Sequence, residues 1–222
     1  MVGLDASDSQ EVGIGDWSAM TTPYVHSGYA RKENDDYQTV DERCVTALVD
    51  TLKTSDLWLM ETSKIIDICG SHGSGIVRSL SNLGYNASAA PEAFVAHTAD
   101  WIITNPPYDR AIVDKYVGHV LGHIDSGYVK HAAFLMRSNW DMAQSRADFF
   151  DNIYYHGQIR MRFRPWWSEE RKAQPIHNYV WHIWSEEPQV CLYDRCERNI
   201  GPRIYYWPLS GEMGKLKTTP TE

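Results

Sequence analysis

The chain has 222 residues and a formal net charge of −8 at pH 7, a length that suits one domain with a buried core. No apolar run approaches the ~20 residues that span a bilayer, and residues 1–10 are too acidic and polar for a secretory leader. The four cysteines form no Cys-x-x-Cys pair, which favours reduced thiols in a cytoplasmic protein over a zinc site or a disulfide framework. These features predict neither a membrane partner nor a metal ion.

The negative charge is concentrated at the start of the chain. Residues 1–42 hold nine acidic and two basic side chains, a net charge of −7, which leaves −1 for the remainder. Within that remainder, a basic strip carries Arg160, Arg162, Arg164, Arg171 and Lys172 against two acidic residues. This distribution permits contact with phosphates, although the overall charge does not by itself indicate it.

Hydrophobic periodicity divides most of the chain into alternating helices and strands. Helices are predicted at 40–52, 74–83, 111–124 and 141–150. Strands are predicted at 64–69, 85–90, 101–104, 131–136, 158–163 and 178–184. The alternation predicts an α/β fold with a mostly parallel sheet covered by helices on both faces. Residues 37–210 form the predicted domain, 1–36 a loosely ordered acidic lead-in, and 211–222 a flexible tail.

The strand at 101–104 ends in Asn105-Pro106-Pro107-Tyr108, the most informative motif of the chain. Each proline fixes φ and lacks an N–H, and the residue before a proline avoids the helical region, so the backbone leaves the sheet stiff and extended. The Asn105 amide oxygen and the Pro106 carbonyl can both accept hydrogen bonds, and Tyr108 offers an aromatic plane beside them. Two acceptors and a flat ring suit an NH2 group on a planar base.

A second motif follows the strand at 64–69, where Asp67-Ile68-Cys69-Gly70-Ser71-His72-Gly73-Ser74-Gly75 forms a glycine-rich turn that opens a helix. Glycines let a backbone approach a ligand closely. In a parallel sheet, ligands lie beyond the carboxyl ends of the strands. Both motifs are therefore expected at one edge of the sheet.

Together these motifs resemble the Rossmann-like amino-methyltransferases that use S-adenosylmethionine (SAM), in particular the phage-type N6-adenine DNA methyltransferases. The resemblance implies a seven-stranded sheet and direct in-line methyl transfer to the exocyclic amine of adenine in DNA. The catalytic residues implied are Asn105, Pro106, Pro107 and Tyr108, with Asn105 also near the cofactor. In this family, Asn at the first position of the motif indicates methylation of adenine N6 more than of cytosine N4.

The same resemblance assigns the cofactor loop, in which Asp67, Cys69, Gly70, Gly73 and Gly75 would hold the methionine part of SAM. The spacing departs from the family, because Gly73 and Gly75 lie six and eight residues after Asp67 where four and six are expected. The next strand lacks the usual acidic residue for the ribose, and Glu92 is a nearby substitute. The segment that follows is short, so a strand and a helix of the family are expected to be reduced.

Upstream, Asp35-Asp36-Tyr37-Gln38-Thr39 resembles a family segment that folds over the methionine end of SAM. Tyr37 and Thr39 are the candidate contacts, and capping of the first helix by Thr39 or Asp41 is the alternative. Downstream, the strands at 158–163 and 178–184 resemble the last two of the phage-type enzymes. The candidate nucleic-acid contacts are Tyr108, Arg162, Arg164, Trp166, Trp167, Arg171 and Lys172.

Three other functions remain open at this point. In the first, the chain methylates adenine in RNA. In the second, it methylates a glutamine side chain of a protein, a substrate that would fit the acidic charge of the chain. The third is a non-catalytic binding module that kept the fold and lost its affinity for SAM, consistent with the irregular glycine loop. The phage-type resemblance suggests a bacterial or viral source.

Overall fold

The computed structural model describes residues 38–39, 41–70, 73–90, 98–168, 170, 175–187 and 203–207. Four α-helices lie in this part of the chain: α1 (Arg43–Thr54), α2 (Gly75–Asn82), α3 (Arg110–Asp125) and α4 (Ala147–Phe150). The described strands are β1 (Ile65–Asp67), β2 (Ala87–Ala89), β3 (Ala99–Thr104), β4 (Val129–Arg137), β5 (Tyr155–Met161), β6 (Tyr179–Ser185) and β7 (Arg203–Trp207). The predicted lead-in and tail lie outside the described residues, as do Cys191 and Cys196.

The seven described strands form one sheet in the order β2-β1-β3-β4-β6-β5-β7. The strands β2, β1, β3 and β4 are parallel, β6 runs antiparallel to both of its neighbours, and β7 is parallel to β5. The chain places β2 on one side of β1 and β3 on the other, so the connections reverse between β1 and β3. A reversal of this kind opens a crevice at the carboxyl edge of the sheet. The predicted Rossmann-like α/β fold is confirmed.

Helices cover both faces of the sheet, as predicted. The apolar sides of α1 and α2 share one core with Trp101, Leu135 and Trp181. Four apolar residues of α3, one about every turn, pack on the opposite face with Phe134 and Trp184. Strand β6 is buried along its whole length because alternate residues face these two cores.

The first helix is held in place by the last two strands. The Trp181 indole donates to the Cys44 carbonyl (2.8 Å), and the Trp207 indole donates to the Asp50 carboxylate (3.1 Å). These bonds join residues 137 and 157 positions apart in the sequence. The helix α1 therefore depends on β6 and β7 for part of its docking.

Two sequence predictions differ from the structure. The helix predicted at 141–150 is replaced by two 3-10 turns and the short α4, because Ala143 has an extended backbone (ψ 123°). The Arg146 guanidinium turns inward and donates to the Trp140 carbonyl and to Asp114, both at 2.7 Å. The strand β7 was not predicted, and it adds to the sheet beyond β5.

Between β2 and β3, the described residues contain no further strand or helix, although residues 91–97 lie outside the description. The expected reduction of the segment therefore stays a prediction. No helix among the described residues is long and apolar enough to cross a membrane.

Candidate active site

The Asp67 carboxylate lies at the end of β1 and is almost fully buried. It accepts hydrogen bonds from the hydroxyls of Ser74 and Thr104, each at 2.6 Å, and from the backbone N–H of Cys69 (3.2 Å). Burial raises the pKa of Asp67 above its ordinary value, and these hydrogen bonds oppose that rise. The carboxylate therefore fixes the shape of the glycine-rich loop from within.

Thr104 connects this loop to the Asn-Pro-Pro-Tyr motif. It is the last residue of β3, it is fully buried, and its hydroxyl both donates to Asp67 and accepts from the Cys69 N–H (3.2 Å). Because Asn105 is the next residue, the two predicted motifs are joined through a single side chain. The expected meeting of the two loops at one sheet edge is confirmed.

The helix α2 begins where the glycine-rich loop ends. Ser74 caps it by accepting from the Val77 N–H at 3.3 Å. A Cβ on Gly70 would lie 2.3 Å from an Asp67 oxygen, and a Cβ on Gly75 would lie 1.6 Å from the Thr39 carbonyl oxygen. Contacts within the protein, and not only approach of a ligand, therefore require glycine at both positions.

A Cβ added at Gly73 would meet none of the described residues within 4 Å. The Gly73 φ of +92° favours glycine at this turn. Ser71 and His72, which complete the loop, lie outside the described residues. The same is true of the predicted cofactor contacts Tyr37 and Glu92. Cys69 carries a half-buried thiol within the loop.

The upstream segment lies against this loop, as expected from the resemblance. The Thr39 carbonyl packs on Gly75, and the buried Thr39 hydroxyl has no hydrogen-bond partner among the described residues. Thr39 therefore does not cap α1. Asp41 instead accepts from the backbone N–H of Arg43 (3.2 Å) in the first turn of that helix. Buried polar groups ordinarily have a partner, so the Thr39 hydroxyl is an exception among the described residues.

Asn105 is buried, with 8% of its surface exposed, and its amide oxygen accepts a hydrogen bond from the Tyr108 hydroxyl. Pro106 is buried and Pro107 half-buried, so the motif is packed into the sheet edge. Asp109 caps α3 by accepting from the N–H groups of Ala111 (3.0 Å) and Ile112 (3.2 Å). Asp109 is therefore the N-cap of α3.

Tyr108 lies in an aromatic cluster that also contains Trp167 and Tyr179. Its ring centroid is 6.1 Å from that of Trp167 and 5.3 Å from that of Tyr179, and the last two are 4.8 Å apart. The Arg137 guanidinium lies 5.4 Å from the Tyr108 centroid. Sequence reasoning missed Arg137 and Tyr179 as site residues. Arg137 directly follows the predicted strand at 131–136. A charged residue at the carboxyl end of a buried strand could have indicated a site residue there.

The loop that carries Trp166 and Trp167 is attached to the cofactor side of the molecule. The Trp166 N–H donates to the buried Asp41 carboxylate (3.1 Å), which also pairs with the Arg43 guanidinium at 2.7 and 2.9 Å. Arg43 in turn lies over the Phe163 ring, 4.3 Å from its centroid. Asp41 therefore positions the loop whose Trp167 contacts Tyr108.

The predicted nucleic-acid contacts are only partly brought together. Arg162 and Arg164 are exposed beyond the end of β5, whereas Trp166 and Trp167 are half-buried. Arg171 and Lys172 lie outside the described residues. The described part of the chain contains no group of three or more side chains suited to a metal ion.

The structure thus defines an α/β protein with a Rossmann-like sheet, whose buried polar motifs meet at the carboxyl edge between β1 and β3. No family model and no curated protein matches the chain. Solved structures match it, among them a candidate class I SAM-dependent methyltransferase from Listeria monocytogenes. That match has 12% identity, covers 80% of this chain and 68% of the other, and has a TM-score of 0.45.

A candidate RNA methyltransferase from Pyrococcus horikoshii matches with 8% identity over 64% of this chain and 82% of its own, at a TM-score of 0.46. The modification subunit of a candidate type I restriction enzyme from Vibrio vulnificus matches with 12% identity and a TM-score of 0.42. That match covers 77% of this chain and only 51% of the subunit. Likenesses at these values carry no weight for function, so the class of the fold rests on the strand order.

Proposed function

We propose that this chain is a SAM-dependent methyltransferase that methylates the exocyclic N6 amine of adenine in DNA by direct in-line transfer. The observation that carries the proposal is the bond between Thr104 and Asp67. It places Asn105, a buried amide at the end of β3, beside a glycine-rich loop at the end of β1. The choice of adenine in DNA rests on the resemblance of the Asn-Pro-Pro-Tyr motif.

The residues beside α2 fit the methionine end of SAM. The Asp67 carboxylate shapes the loop from within, the buried Thr39 hydroxyl has no partner among the described residues, and an added Cβ at Gly73 would meet no described atom within 4 Å. Cys69, Gly70 and Gly75 complete this loop and its contact with the upstream segment. When bound, SAM supplies a methyl group on a positively charged sulfur, which a neutral amine can attack.

The amine needs acceptors for its protons, because the nitrogen gains positive charge as it attacks. The Asn105 amide oxygen, which accepts from the Tyr108 hydroxyl, is the first proposed acceptor. The Pro106 carbonyl is the second proposed acceptor. Fixed acceptors in a buried site stabilise a developing charge without reorganising. Holding the nitrogen in line with the methyl group is the rest of their contribution.

Tyr108 would hold the base itself by stacking on the side of its ring away from Arg137. Tyr179 and Trp167 contact the ring and limit its rotation. An adenine in a duplex must leave the base stack to reach such a site, whereas an unpaired adenine need not. The proposed roles for Tyr108 and its neighbours are therefore substrate positioning.

The test is transfer of a labelled methyl group from SAM to unmethylated DNA, with the digested nucleosides separated by mass spectrometry. We expect label in N6-methyladenine, and Asn105→Ala should lower the rate by about 10²- to 10³-fold. The matched control is Asn82→Ala, because Asn82 is exposed at the far end of α2 and should not affect the rate.

SAM binding, measured by calorimetry on the same proteins, separates the alternatives. Binding without label in DNA would contradict the substrate and direct the search to RNA and then to glutamine in protein. Absence of both binding and transfer would contradict the enzyme and favour a non-catalytic module. Transfer that survives Asn105→Ala unchanged would contradict the role of Asn105 alone.

A further inference from the structure

A groove of about 500 Å³ lies at the same sheet edge, beyond the catalytic motif. It is formed where β4 and β5 end and β6 begins. Its polar walls carry three arginines, and its apolar walls carry aromatic rings and two methionines. The residues that matter for its chemistry are Arg160, Arg162, Arg164, Tyr179, Tyr206 and Met142.

The charge of the groove is positive. Arg160, Arg162 and Arg164 are exposed along it, and Arg164 is held by the Asn178 side chain at 3.1 Å. Asp141 interacts electrostatically with Arg160, and burial raises the pKa of the Asp141 carboxyl above its ordinary value. A row of exposed guanidinium groups on one wall suits the phosphates of a polyanion.

The aromatic walls narrow the class of polyanion. Tyr206 is 43% exposed, and the Arg162 guanidinium lies over its ring at 5.2 Å. Met142 is 79% exposed at the same groove. Aromatic faces interleaved with arginines are typical of sites for unpaired strands, where bases stack and phosphates bind cations. In a closed duplex the bases are stacked on one another, so they could not stack on these rings.

The groove adjoins the proposed catalytic site at Tyr179, a buried residue at the start of β6 that lies between the two. Tyr179 lines the groove, and its ring centroid lies 5.3 Å from that of Tyr108. The side chains of Arg160 and Tyr206 lie on the other sheet face from the Tyr179 ring, so a strand that reaches both the groove and Tyr108 would pass around the start of β6. The volume lies in the range of small-ligand sites, which suits a nucleotide or two and not a length of duplex.

We propose that this groove binds a nucleotide flanking the target adenine in an unpaired strand, with its phosphate on Arg160 and Arg162 and its base on Tyr206. This inference rests on the proposed function and extends it, because it assigns single-stranded nucleic acid as the form that binds. Preference among flanking bases would then arise at Tyr206.

The test measures binding and needs no catalysis. Fluorescein-labelled strands of about 12 nucleotides with one central adenine, as DNA and as RNA, are titrated with the full chain and followed by anisotropy. Arg162→Ala should weaken binding at least about fivefold and lower the slope of log affinity against log salt by about 0.7. The matched control is Arg203→Ala, which removes the same charge at the opposite edge of the sheet and should change affinity less than about twofold.

A second pair of variants tests stacking. Tyr206→Ala should weaken binding at least about fivefold and reduce the preference for a purine beside the adenine, while Tyr206→Phe, which keeps the ring, should bind normally. Thermal melting of each variant confirms that it is folded. The proposal is overturned if neither strand binds, if Arg162→Ala or Tyr206→Ala binds as the unchanged protein does, or if closed duplex binds as tightly as the single strand.

These outcomes are separate from those of the methyl-transfer assay. Strand binding that depends on Arg162 and Tyr206, without methyl transfer, would support the groove as a binding site and contradict the proposed enzymatic activity. Methyl transfer, together with strand binding that the groove variants leave unchanged, would support the enzymatic activity and contradict the role of the groove. Tighter binding of RNA than of DNA would support the groove and change the proposed substrate from DNA to RNA.

Discussion

The two halves of the carboxyl edge are built in opposite ways. Around Asp67 and Thr104, the polar groups are buried and bonded to one another at 2.6 Å. Around Arg160 and Arg162, the polar groups are exposed and face a groove. A buried network holds one geometry and does not tolerate loss of a member, whereas exposed charges adapt to a ligand and respond to salt. The first half suits an invariant cofactor, and the second suits a variable strand.

The largest effect is expected from Gly75→Ala, which breaks the buried half by steric conflict. The new Cβ would lie 1.6 Å from the Thr39 carbonyl oxygen, so the upstream segment or α2 must move. We expect a loss of about 3 kcal/mol in the free energy of unfolding, measured by urea denaturation, and weaker SAM binding by calorimetry.

The matched control is Gly122→Ala in α3, where an added Cβ meets nothing within 4 Å. It should be neutral or stabilise by up to about 1 kcal/mol, because alanine favours helix. Equal stability of the two variants would mean that the close packing of Thr39 on α2 is not a constraint.

Thr104→Val should cost about 2 kcal/mol, because it removes buried hydrogen bonds to Asp67 and Cys69 while keeping the shape of the side chain. Thr104→Ser retains the hydroxyl and should recover most of the lost stability. Urea denaturation measures both. If valine and serine behave alike, the hydroxyl does not hold the two motifs together.

Salt should distinguish the two halves directly. For three phosphate contacts on an unpaired strand, raising salt from about 50 to about 200 mM should weaken strand binding about 20-fold, or about 1.8 kcal/mol. SAM binding in the buried half should change by less than about twofold over the same range. Anisotropy and calorimetry give the two slopes, and equal slopes would remove the distinction.

A smaller effect is expected from pH, through the buried His182 of β6. Its Nδ1 lies 3.0 Å from the Tyr155 hydroxyl, and burial lowers its pKa to about 3. The unfolded chain binds a proton at this residue near pH 6.5, whereas the folded chain does not, so stability is complete above that pH and declines below it. The decline from this residue is about 1.4 kcal/mol per pH unit.

The measurement is urea denaturation between about pH 6.5 and about pH 4.5, for the unchanged protein and for His182→Gln. The variant should lose stability less steeply on acidification by about 1.4 kcal/mol per pH unit. A slope unchanged by the substitution would show that His182 is already neutral in the unfolded chain or charged in the folded one.

Sequence predicted the buried half better than the groove. Apolar strands that end in Asp67 and Thr104 are local patterns, and parallel pairing brings such ends together. The groove depends on partners that local pattern does not reveal, such as Tyr206 on the unpredicted β7. The prediction of a helix at 141–150 was wrong. The Arg146 guanidinium is buried and donates to Asp114 and to the Trp140 carbonyl, and hydrophobic periodicity does not reveal these tertiary hydrogen bonds.

The docking of α1 has a consequence for how the chain folds as it is made. Its indole bonds come from Trp181 and Trp207, and at the usual rates of synthesis residue 207 follows residue 54 by on the order of ten to thirty seconds. During that interval the newly made helix lacks the strands that cover part of its apolar side. Pairing over such long sequence separations is slow. The nascent first half is therefore a form that chaperones would bind, and the Asp41 contact with Trp166 forms only late in synthesis.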